Sequence, residues 1–345
     1  MISQLPLTLC VDLYGCPNRC THCWLGHMPN RDMGPEADAW IVSQFKPYFD
    51  RITFYSWLRE PDFCADYRGR WERDKALSTG APPERFELAS FWRLVRDPDY
   101  VNFLKELGVP AVQLTFFGTE QTTDRCVGRR GSFLELLQAT DILLEHEISP
   151  RWQLFLTEEN RQEALELLHL SQSLELSSRC EAFGGRFRFF VHGGSCDGEN
   201  RKRYSSMIQK GHIPELLIPY CLNYEQLHSE AEYCALWQGE SSRVVPHNHK
   251  EIVIYVSNRF DLYYNFTHMR PEWRIGNLQT DPIEELVRRI VEEDTPALRA
   301  AREITLGELT ERYGSASSAR LFEEEDYKQF LLNQHLERMG NDAHN

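Results

Sequence analysis

The chain has 345 residues, 41% of them apolar and 12% aromatic, which suffices for a large core and argues against disorder. Its formal net charge of −14 excludes a broad nucleic-acid surface, because such a surface needs excess positive charge to attract phosphate. It shows no run of about eighteen apolar residues and no leader. Its ten cysteines therefore indicate metal ligands, catalytic thiols or buried packing residues, and we expect a cytoplasmic protein without a membrane partner.

The first predicted strand, residues 6–13, leads into a loop that contains three cysteines at spacings of four and three: Cys16, Cys20 and Cys23. Three thiolates hold three irons of a [4Fe–4S] cube and leave the fourth iron without a protein ligand. The alternative is a zinc site with three cysteines and either His22 or His27 as fourth ligand. No second ligand pair at zinc-knot spacing accompanies the triplet.

This Cys-x3-Cys-x2-Cys pattern after a first strand resembles the radical S-adenosylmethionine (radical SAM) superfamily, with His22 in the aromatic place. The resemblance implies that Cys16, Cys20 and Cys23 hold a [4Fe–4S] cluster whose open iron chelates SAM. It also implies that an electron from a flavodoxin- or ferredoxin-type donor cleaves SAM to methionine and a 5′-deoxyadenosyl radical. This radical takes a hydrogen atom from the substrate.

A helix is predicted over residues 37–49 and a second strand over 51–57. The strand exit, Leu58-Arg59-Glu60-Pro61, stands where the family usually has Gly-Gly-Glu-Pro. The resemblance assigns Glu60 to the SAM ammonium, and the alternative is an ordinary surface acid. Residues 62–83 are polar and predict a long loop on the active-site face.

Residues 84–107 predict a helix or helix pair interrupted at Asp97-Pro98, and residues 111–117 predict a strand. Gly131-Ser132 is predicted to cap a helix over residues 133–147, whose apolar face includes three leucines: Leu134, Leu137 and Leu144.

The segment from Thr115 to Phe133 resembles the fourth strand and following helix of many radical SAM enzymes. By this resemblance Glu120 is a candidate ligand of the ribose hydroxyls, since a carboxylate accepts from two adjacent donors. Arg125 or Arg129 is the candidate partner of the SAM carboxylate. The alternative for both arginines is a solvated charge near a helix start.

Residues 152–156 predict a further strand, followed by Asn160 and a helix over residues 163–174. Asn160 either lies near the ribose, as in the family, or caps this helix. A last strand, residues 187–191, leads into Gly193 and Gly194. We expect this glycine pair to border the adenine, a plain turn being the alternative.

Strands alternating with helices through residue 200 imply βα units and a parallel sheet. With the resemblance they predict an α/β fold: a partial (β/α)6 barrel over residues 1–200 and a smaller α+β extension over 201–345. All candidate residues follow strand C-terminal ends, which form the catalytic face of βα barrels.

Beyond residue 200 we predict a helix over 215–237 carrying Cys221 and Cys234, a hairpin of residues 252–256 and 262–266, and a helix over 281–290. Charged helices from residue 295 and a frayed tail from residue 340 follow. The order resembles SPASM or twitch extensions, but Tyr264-Asn265 replaces the usual Pro-Cys and no cysteine follows Cys234. The extension is therefore predicted to lack an auxiliary cluster.

A thiol is the natural hydrogen donor if the substrate radical is quenched by the protein. Cys196 is the first candidate and Cys126 the second, with Cys64 also on a loop, although a buried or idle cysteine is the alternative for each. His247 and His249 are read as surface histidines.

The sequence thus predicts a radical SAM enzyme with SAM and one [4Fe–4S] cluster. We expect a small polar metabolite or natural-product intermediate as substrate, because strand one begins by residue 6 and leaves no room for a leader-binding domain. A peptide- or protein-modifying maturase is the alternative. The alternative of another class is a non-catalytic zinc or iron–sulfur protein. Substrate identity and oligomeric state stay open.

Overall fold

The computed structural model describes residues 4–342 apart from positions 24, 27, 35, 57, 58, 61, 81, 82, 84–87, 197, 245–249 and 265–268. His27, His247, His249 and Asn265, singled out above, lie outside the described residues. Within the described part, no helix combines the length and apolar character needed to cross a membrane.

One sheet joins the start of the chain to its later part. Its strands are β1 (Leu7–Val11), β2 (Ile52–Tyr55), β7 (Ile252–Val256), β8 (Asp261–Tyr263) and β9 (Arg274–Asn277), in the order β2-β1-β7-β8-β9. β1 is parallel to both β2 and β7, whereas β7, β8 and β9 are antiparallel. The predicted hairpin is confirmed, but its first strand also extends the N-terminal parallel sheet.

A second sheet contains β3 (Ala111–Phe116), β4 (Ser149–Phe155) and β5 (Arg188–His192), all parallel. The fold is therefore mixed α/β with parallel sheets. The described residues before position 200 contain five strands rather than six, and the sixth strand parallel to a neighbour is β7 from the predicted extension. Closure into a partial barrel and the domain division at residue 200 stay predictions.

Thirteen α-helices occur in the described residues: α1 (Ala37–Phe45), α2 (Tyr67–Leu77), α3 (Phe91–Leu94), α4 (Pro98–Glu106), α5 (Glu120–Val127), α6 (Ser132–Glu145), α7 (Arg161–Ser173), α8 (Leu176–Glu181), α9 (Glu230–Leu236), α10 (Ile283–Val291), α11 (Pro296–Glu303), α12 (Leu306–Tyr313) and α13 (Glu324–Asp342). Short 3-10 helices span Gly198–Ser206, Glu215–Tyr220, Tyr224–Gln226 and Pro271–Trp273. The two-residue strands β6 (His228–Ser229) and β10 (Leu321–Phe322) pair antiparallel.

The helix α2 corrects the long loop predicted over residues 62–83. Its buried face has helical spacing, but the four residues on it are Tyr67, Arg70, Trp71 and Asp74. Two of these four positions are charged, so the apolar period that signals a helix is absent from the sequence. Tertiary ion pairing, including that between Arg70 and Asp38 on α1, replaces the missing apolar contacts.

The start of α6 also differs from the prediction. Gly131 occupies the cap position, but the backbone N–H groups of Gly131 and Phe133 donate to the Asp124 carboxylate at 2.5 and 2.9 Å. The Ser132 hydroxyl donates instead to the Arg129 carbonyl. Leu134, predicted on the apolar face, is 57% exposed. Asp124 therefore supplies the cap, seven residues before Gly131.

The single helix predicted over residues 215–237 is wrong. Two 3-10 helices, β6 and α9 take its place, and Pro219 lies within the first of them. Proline lacks an N–H donor and so interrupts a longer helix. Cys221 directly follows the first 3-10 helix and Cys234 lies on α9.

Burial alternates along β1 and β2, whereas β4 and β7 have runs of consecutive buried residues. Leu7, Leu9 and Val11 on β1 are fully buried, as are Leu114 on β3 and Leu154 on β4, whose side chains belong to the apolar clusters shared with the helices. The intervening positions are partly polar, for example Thr8, Gln113 and Gln153. The second sheet therefore presents one face to the helices and carries polar side chains on the other.

Candidate active site

The loop that follows β1 brings three free thiols together. Burial raises the pKa of Cys16, and Glu60, Cys20 and Cys23 raise it further through their negative charge. Burial likewise raises the pKa of Cys20, with Cys23 and Glu60 adding to it. The three sulfurs thus lie within electrostatic range of one another, and those of Cys16 and Cys20 also lie within range of the Glu60 carboxylate. This soft donor set, unbridged by disulfides, fits an iron–sulfur cluster bound through three irons.

The cysteine loop is held against the end of α5. Arg19 N donates to the Val127 carbonyl at 2.9 Å, and Thr21 N donates to the Cys126 carbonyl at 2.7 Å. Gly128 ends α5 with φ of 71°, and a Cβ at this position would lie 2.8 Å from the Arg19 carbonyl oxygen. Only glycine permits both this backbone conformation and this approach.

Asn30 clamps the first cysteine. Its side chain accepts from Cys16 N and donates to the Cys16 carbonyl, both at 2.9 Å. Gly15, with φ of 102°, makes room for it, since a Cβ there would lie 2.0 Å from Asn30 Oδ1. Sequence reasoning missed Asn30, because a lone asparagine fourteen residues away carries no periodic or motif signal.

Arg59 explains part of the departure from the family's glycine pair. Its guanidinium forms a buried ion pair with Asp12 at 2.9 Å and donates to the Met28 carbonyl at 2.8 Å. These contacts tie the end of β2 to the end of β1 and to the chain beyond the cysteines. Leu58, the other replacement, lies outside the described residues.

Glu60 lies beside the cysteine loop. Its Oε2 is 3.7 Å from Cys16 Sγ, and its Oε1 is buried without a hydrogen-bond partner among the described residues. Burial, and to a smaller extent Asp62, raise the pKa of Glu60 to about 7. The alternative of an ordinary solvated acid does not describe this half-buried side chain.

The imidazole of His22, in the loop after β1, packs against aromatic residues at the ends of β3 and β4. Its ring centroid lies 4.1 Å from that of Phe117, after β3, and 5.1 Å from that of Phe155 on β4. Burial lowers the pKa of His22 to about 3, so its ring is neutral, and its Nδ1 has no hydrogen-bond partner in the described part of the chain. The predicted convergence of strand ends is thus present around this loop.

A cleft that is partly open to solvent lies next to His22, between the ends of β4 and β5. Its lining includes Phe155, His192, Gly194 and Arg203. Sequence reasoning missed Arg203, which lies on a 3-10 helix with no motif around it.

Gly194 lines this cleft, but the atoms that pack closely against its Cα belong to other residues of the protein, where a bound adenine was expected. Gly194 has φ of 83°, and a Cβ there would lie 2.6 Å from Leu227 Cδ2 and 3.1 Å from Glu323 N. The neighbouring Gly193 has only ordinary contacts at that position. The glycine at 194 is therefore required for packing against the segment before α13, and its role beside adenine stays a prediction.

Asn160 bridges two strand ends. Its amide donates to the Phe117 and Phe155 carbonyls at 2.7 and 2.8 Å, and its Oδ1 accepts from Thr157 N at 2.8 Å. It stands at the cap position of α7 but makes no side-chain cap hydrogen bond, so the capping interpretation is wrong. Both amide hydrogens are already used, and the ribose contact stays a prediction.

The three charged candidates after β3 are separated by the fold. Glu120 and Arg125 are exposed on α5, whereas Arg129 donates to Asn18 Oδ1 at 3.0 Å and pairs with Glu135 at 2.6 Å. Arg129 therefore contacts the cysteine loop directly, and of the two predicted arginines it is the better placed for an anionic group.

The candidate hydrogen donors are more enclosed than loop positions suggest. Cys126 lies on α5 rather than on a loop, and it is 7% exposed and packs with Cys20. Cys196 is 1% exposed within the core around β1. The Cys196 N–H donates to Asp326 on α13 at 3.0 Å. Cys64 is half-buried and lines a separate cleft with Glu60. No thiol is singled out by these contacts as the donor.

Among the residues that the structure describes, no three His, Cys, Asp or Glu side chains converge on a point that would hold one metal ion. Thiolates that bind a [4Fe–4S] cube each ligate a different iron, so such a site does not require convergence on one point.

The fold is similar to that of anSMEcpe. In a structure of that protein with bound AdoMet, the similarity covers 98% of this chain and 100% of that chain, at 13% identity and a TM-score of 0.55. In another, with bound AdoMet and Cp18Cys peptide, it covers 98% and 99%, at 14% identity and a TM-score of 0.54. No family model matches the chain, and no curated protein matches its sequence. At this level of identity the similarity establishes the fold.

Proposed function

We propose that this chain, which has the fold of the radical SAM enzymes, is itself an enzyme that cleaves SAM reductively and uses the resulting radical on a polar substrate. The observation that carries the proposal is the grouping of three free thiols after β1, next to the half-buried Glu60. The AdoMet in the anSMEcpe structure supports SAM as the ligand.

Cys16, Cys20 and Cys23 would hold the [4Fe–4S] cluster. When bound, this group supplies the electron that cleaves the sulfonium of SAM to methionine and a 5′-deoxyadenosyl radical. The protein side chains bind and orient. Glu60 accepts hydrogen bonds from the ammonium of SAM, and Arg129 faces an anionic group beside Asn18. The cleft beside His22 is our candidate adenosine site, and the rings of His22 and Phe155 form part of its wall.

A small polar metabolite or natural-product intermediate is the substrate class we favour. The face of the second sheet away from the helices carries Gln113, Thr115 and Gln153, and the two glutamine side chains hydrogen-bond to each other. Such groups pair with hydroxyl and amide functions of a ligand.

A peptide substrate is the second candidate. It is favoured by the anSMEcpe structure that contains the Cp18Cys peptide. Release of 5′-deoxyadenosine from pools of small metabolites compared with pools of peptides separates the two classes. Deuterium transfer from labelled substrate into 5′-deoxyadenosine then identifies the carbon attacked.

Anaerobic reconstitution with iron and sulfide tests the function itself. We expect a brown protein with about four irons per chain that cleaves SAM under dithionite. Substitution of Cys16, Cys20 and Cys23 together by Ala should abolish both iron binding and SAM cleavage. Cys234→Ala, on α9, serves as the matched loss of a thiol elsewhere and should retain both. A colourless protein that binds zinc would overturn the proposal.

A further inference from the structure

Arg203 lines the cleft beside His22 and has no charge partner among the described residues. It lies on the 3-10 helix Gly198–Ser206, and its side chain is half-buried. Its guanidinium makes no hydrogen bond or ion pair within the described part of the chain. A charged group that loses part of its hydration normally has a partner in the protein. Arg201, two residues earlier, shows the usual case, because it pairs with Glu337 at 2.8 Å.

The backbone that carries Arg203 is anchored directly after it. The ring of the next residue, Tyr204, stacks on Phe330 of α13 with 5.0 Å between the ring centroids. The Ser206 carbonyl accepts from Glu158 N at 3.0 Å, just beyond the end of β4. The guanidinium is therefore presented to the cleft from a fixed segment. A ligand that binds there has less of the chain to order, which favours its binding.

The charge that lines this cleft is positive. Among its described lining residues, Arg203 is the only Asp, Glu, Lys or Arg, and the two histidines beside it carry no negative charge. Two carboxylates lie near the lining, and both already accept hydrogen bonds. Glu158 accepts from a backbone N–H at 2.7 Å, and Glu323, 3.8 Å from the lining His192, accepts from an asparagine amide. Neither pairs with Arg203, so the cleft favours an incoming anion over a cation.

We propose that Arg203 binds a carboxylate or phosphate group of the substrate in the cleft beside His22. A guanidinium donates two parallel hydrogen bonds to the oxygens of either group. Thr157 lines the same cleft, and its hydroxyl is a further donor type for an oxyanion. The inference narrows the substrate to small metabolites with an anionic group, and this assignment to the substrate rests on the proposed function. Adenosine has no anionic group, whereas the carboxylate of SAM has the same chemistry and must be separated from a substrate anion by experiment.

Chemical labelling of the purified full-length chain, before any cluster is reconstituted, tests the anion site. Phenylglyoxal reacts with accessible guanidinium groups, and mass spectrometry of the peptides measures the labelling of each arginine. We expect sodium phosphate or sodium acetate to slow the labelling of Arg203 about threefold at twice its Kd, relative to sodium chloride of equal ionic strength. Arg312, exposed and paired with Glu308 on α12, should be labelled equally in all three salts.

Kinetics of the reconstituted protein assign the anion to the substrate. Pools of carboxylated or phosphorylated metabolites should stimulate release of 5′-deoxyadenosine, and pools of neutral sugars and nucleosides should not. Arg203→Met should raise the KM for the stimulating metabolite about 10–100-fold, and Arg203→Lys, which retains the charge, should raise it less. Both variants should keep the Kd for SAM. The control Arg312→Met should keep the KM and the Kd.

Three results would overturn the proposal: labelling of Arg203 that is equal in the three salts or absent in all of them, stimulation by neutral metabolites alone, or an unchanged KM in R203M. A Kd for SAM raised about tenfold in R203M would also overturn it, because the anion would then be the carboxylate of SAM. The labelling needs no variant, so it decides even if R203M folds poorly. Failure to bind iron or to cleave SAM would contradict the proposed function and leave the labelling result intact.

Discussion

Arg59 and Asp12 form an ion pair beneath the cysteine loop, and replacing Arg59 by Met should strongly destabilise the protein. The two side chains are 5% and 1% exposed, with 2.9 Å between Nη2 and Oδ2. Methionine retains the apolar stem but leaves the Asp12 carboxylate buried without its cation. Loss of one partner of such a pair costs about 3–5 kcal/mol. The substitution also removes the donor to the Met28 carbonyl.

The measurement is urea denaturation of the iron-free chain, followed by circular dichroism. We expect the free energy of unfolding of R59M to fall by about 3–5 kcal/mol. The double variant D12L/R59M should be more stable than R59M, because it leaves no charge buried. Arg312→Met breaks an exposed pair with Glu308 and should change the free energy by no more than about 0.5 kcal/mol.

A loss below about 1 kcal/mol in R59M, or a double variant as unstable as the sum of the single variants, would refute the role given to this pair. Because Arg59 also holds the chain after the cysteines, R59M should retain less iron on reconstitution than R312M.

Three further predictions concern positions around the site. Gly128→Ala should destabilise the chain by about 1–3 kcal/mol and lower its iron content, since its Cβ would meet the Arg19 carbonyl. Gly131→Ala, also at positive φ but with no atom within 4 Å, should spare the iron content, and equal iron loss in both variants would contradict this reasoning. Asp124→Ala should cost about 1–2 kcal/mol in urea denaturation by uncapping α6, and no loss would exclude Asp124 as the cap. Burial raises the pKa of Asp74 to about 7 in the folded chain, above its unfolded value of about 3.9. Its contribution to stability is therefore full below about pH 4 and is lost as pH rises through 7. Unfolding free energies at pH 5 and pH 8 should thus differ less in D74N than in the unaltered chain, and an equal difference would contradict the shifted pKa.

The strands and the cysteine loop were predictable because local patterns encode them. The apolar runs of β1 to β5 and of the hairpin strand β7 lie where the sequence places them, with ends shifted by a few residues. The spacing of Cys16, Cys20 and Cys23 is itself a local feature. Parallel strands place their C-terminal ends together, so Glu60 and Cys16 were expected to meet, and they do.

The supporting contacts of the site were not predictable in the same way. Asn30, Arg59 and Arg203 reach the cysteine loop or its cleft across long stretches of chain, and nothing near them in sequence indicates this. The helix α2 was missed because a buried Arg70 and Asp74 stand where an amphipathic helix normally has apolar residues. Such charges are tolerated only when tertiary partners such as Asp38 and Ser56 compensate them.

The sequence alone therefore indicated the candidate ligand set and gave most strands in their order along the chain, because thiol spacing and hydrophobic period act over a few residues. The tertiary structure decided which candidates meet. It brought Arg129 to the cysteine loop and left Glu120 and Arg125 exposed. It also packed Leu227 and Glu323 against Gly194 and paired β7 with β1. These outcomes depend on contacts between residues far apart in the chain, where the balance of burial, charge pairing and backbone hydrogen bonding is set by the whole fold.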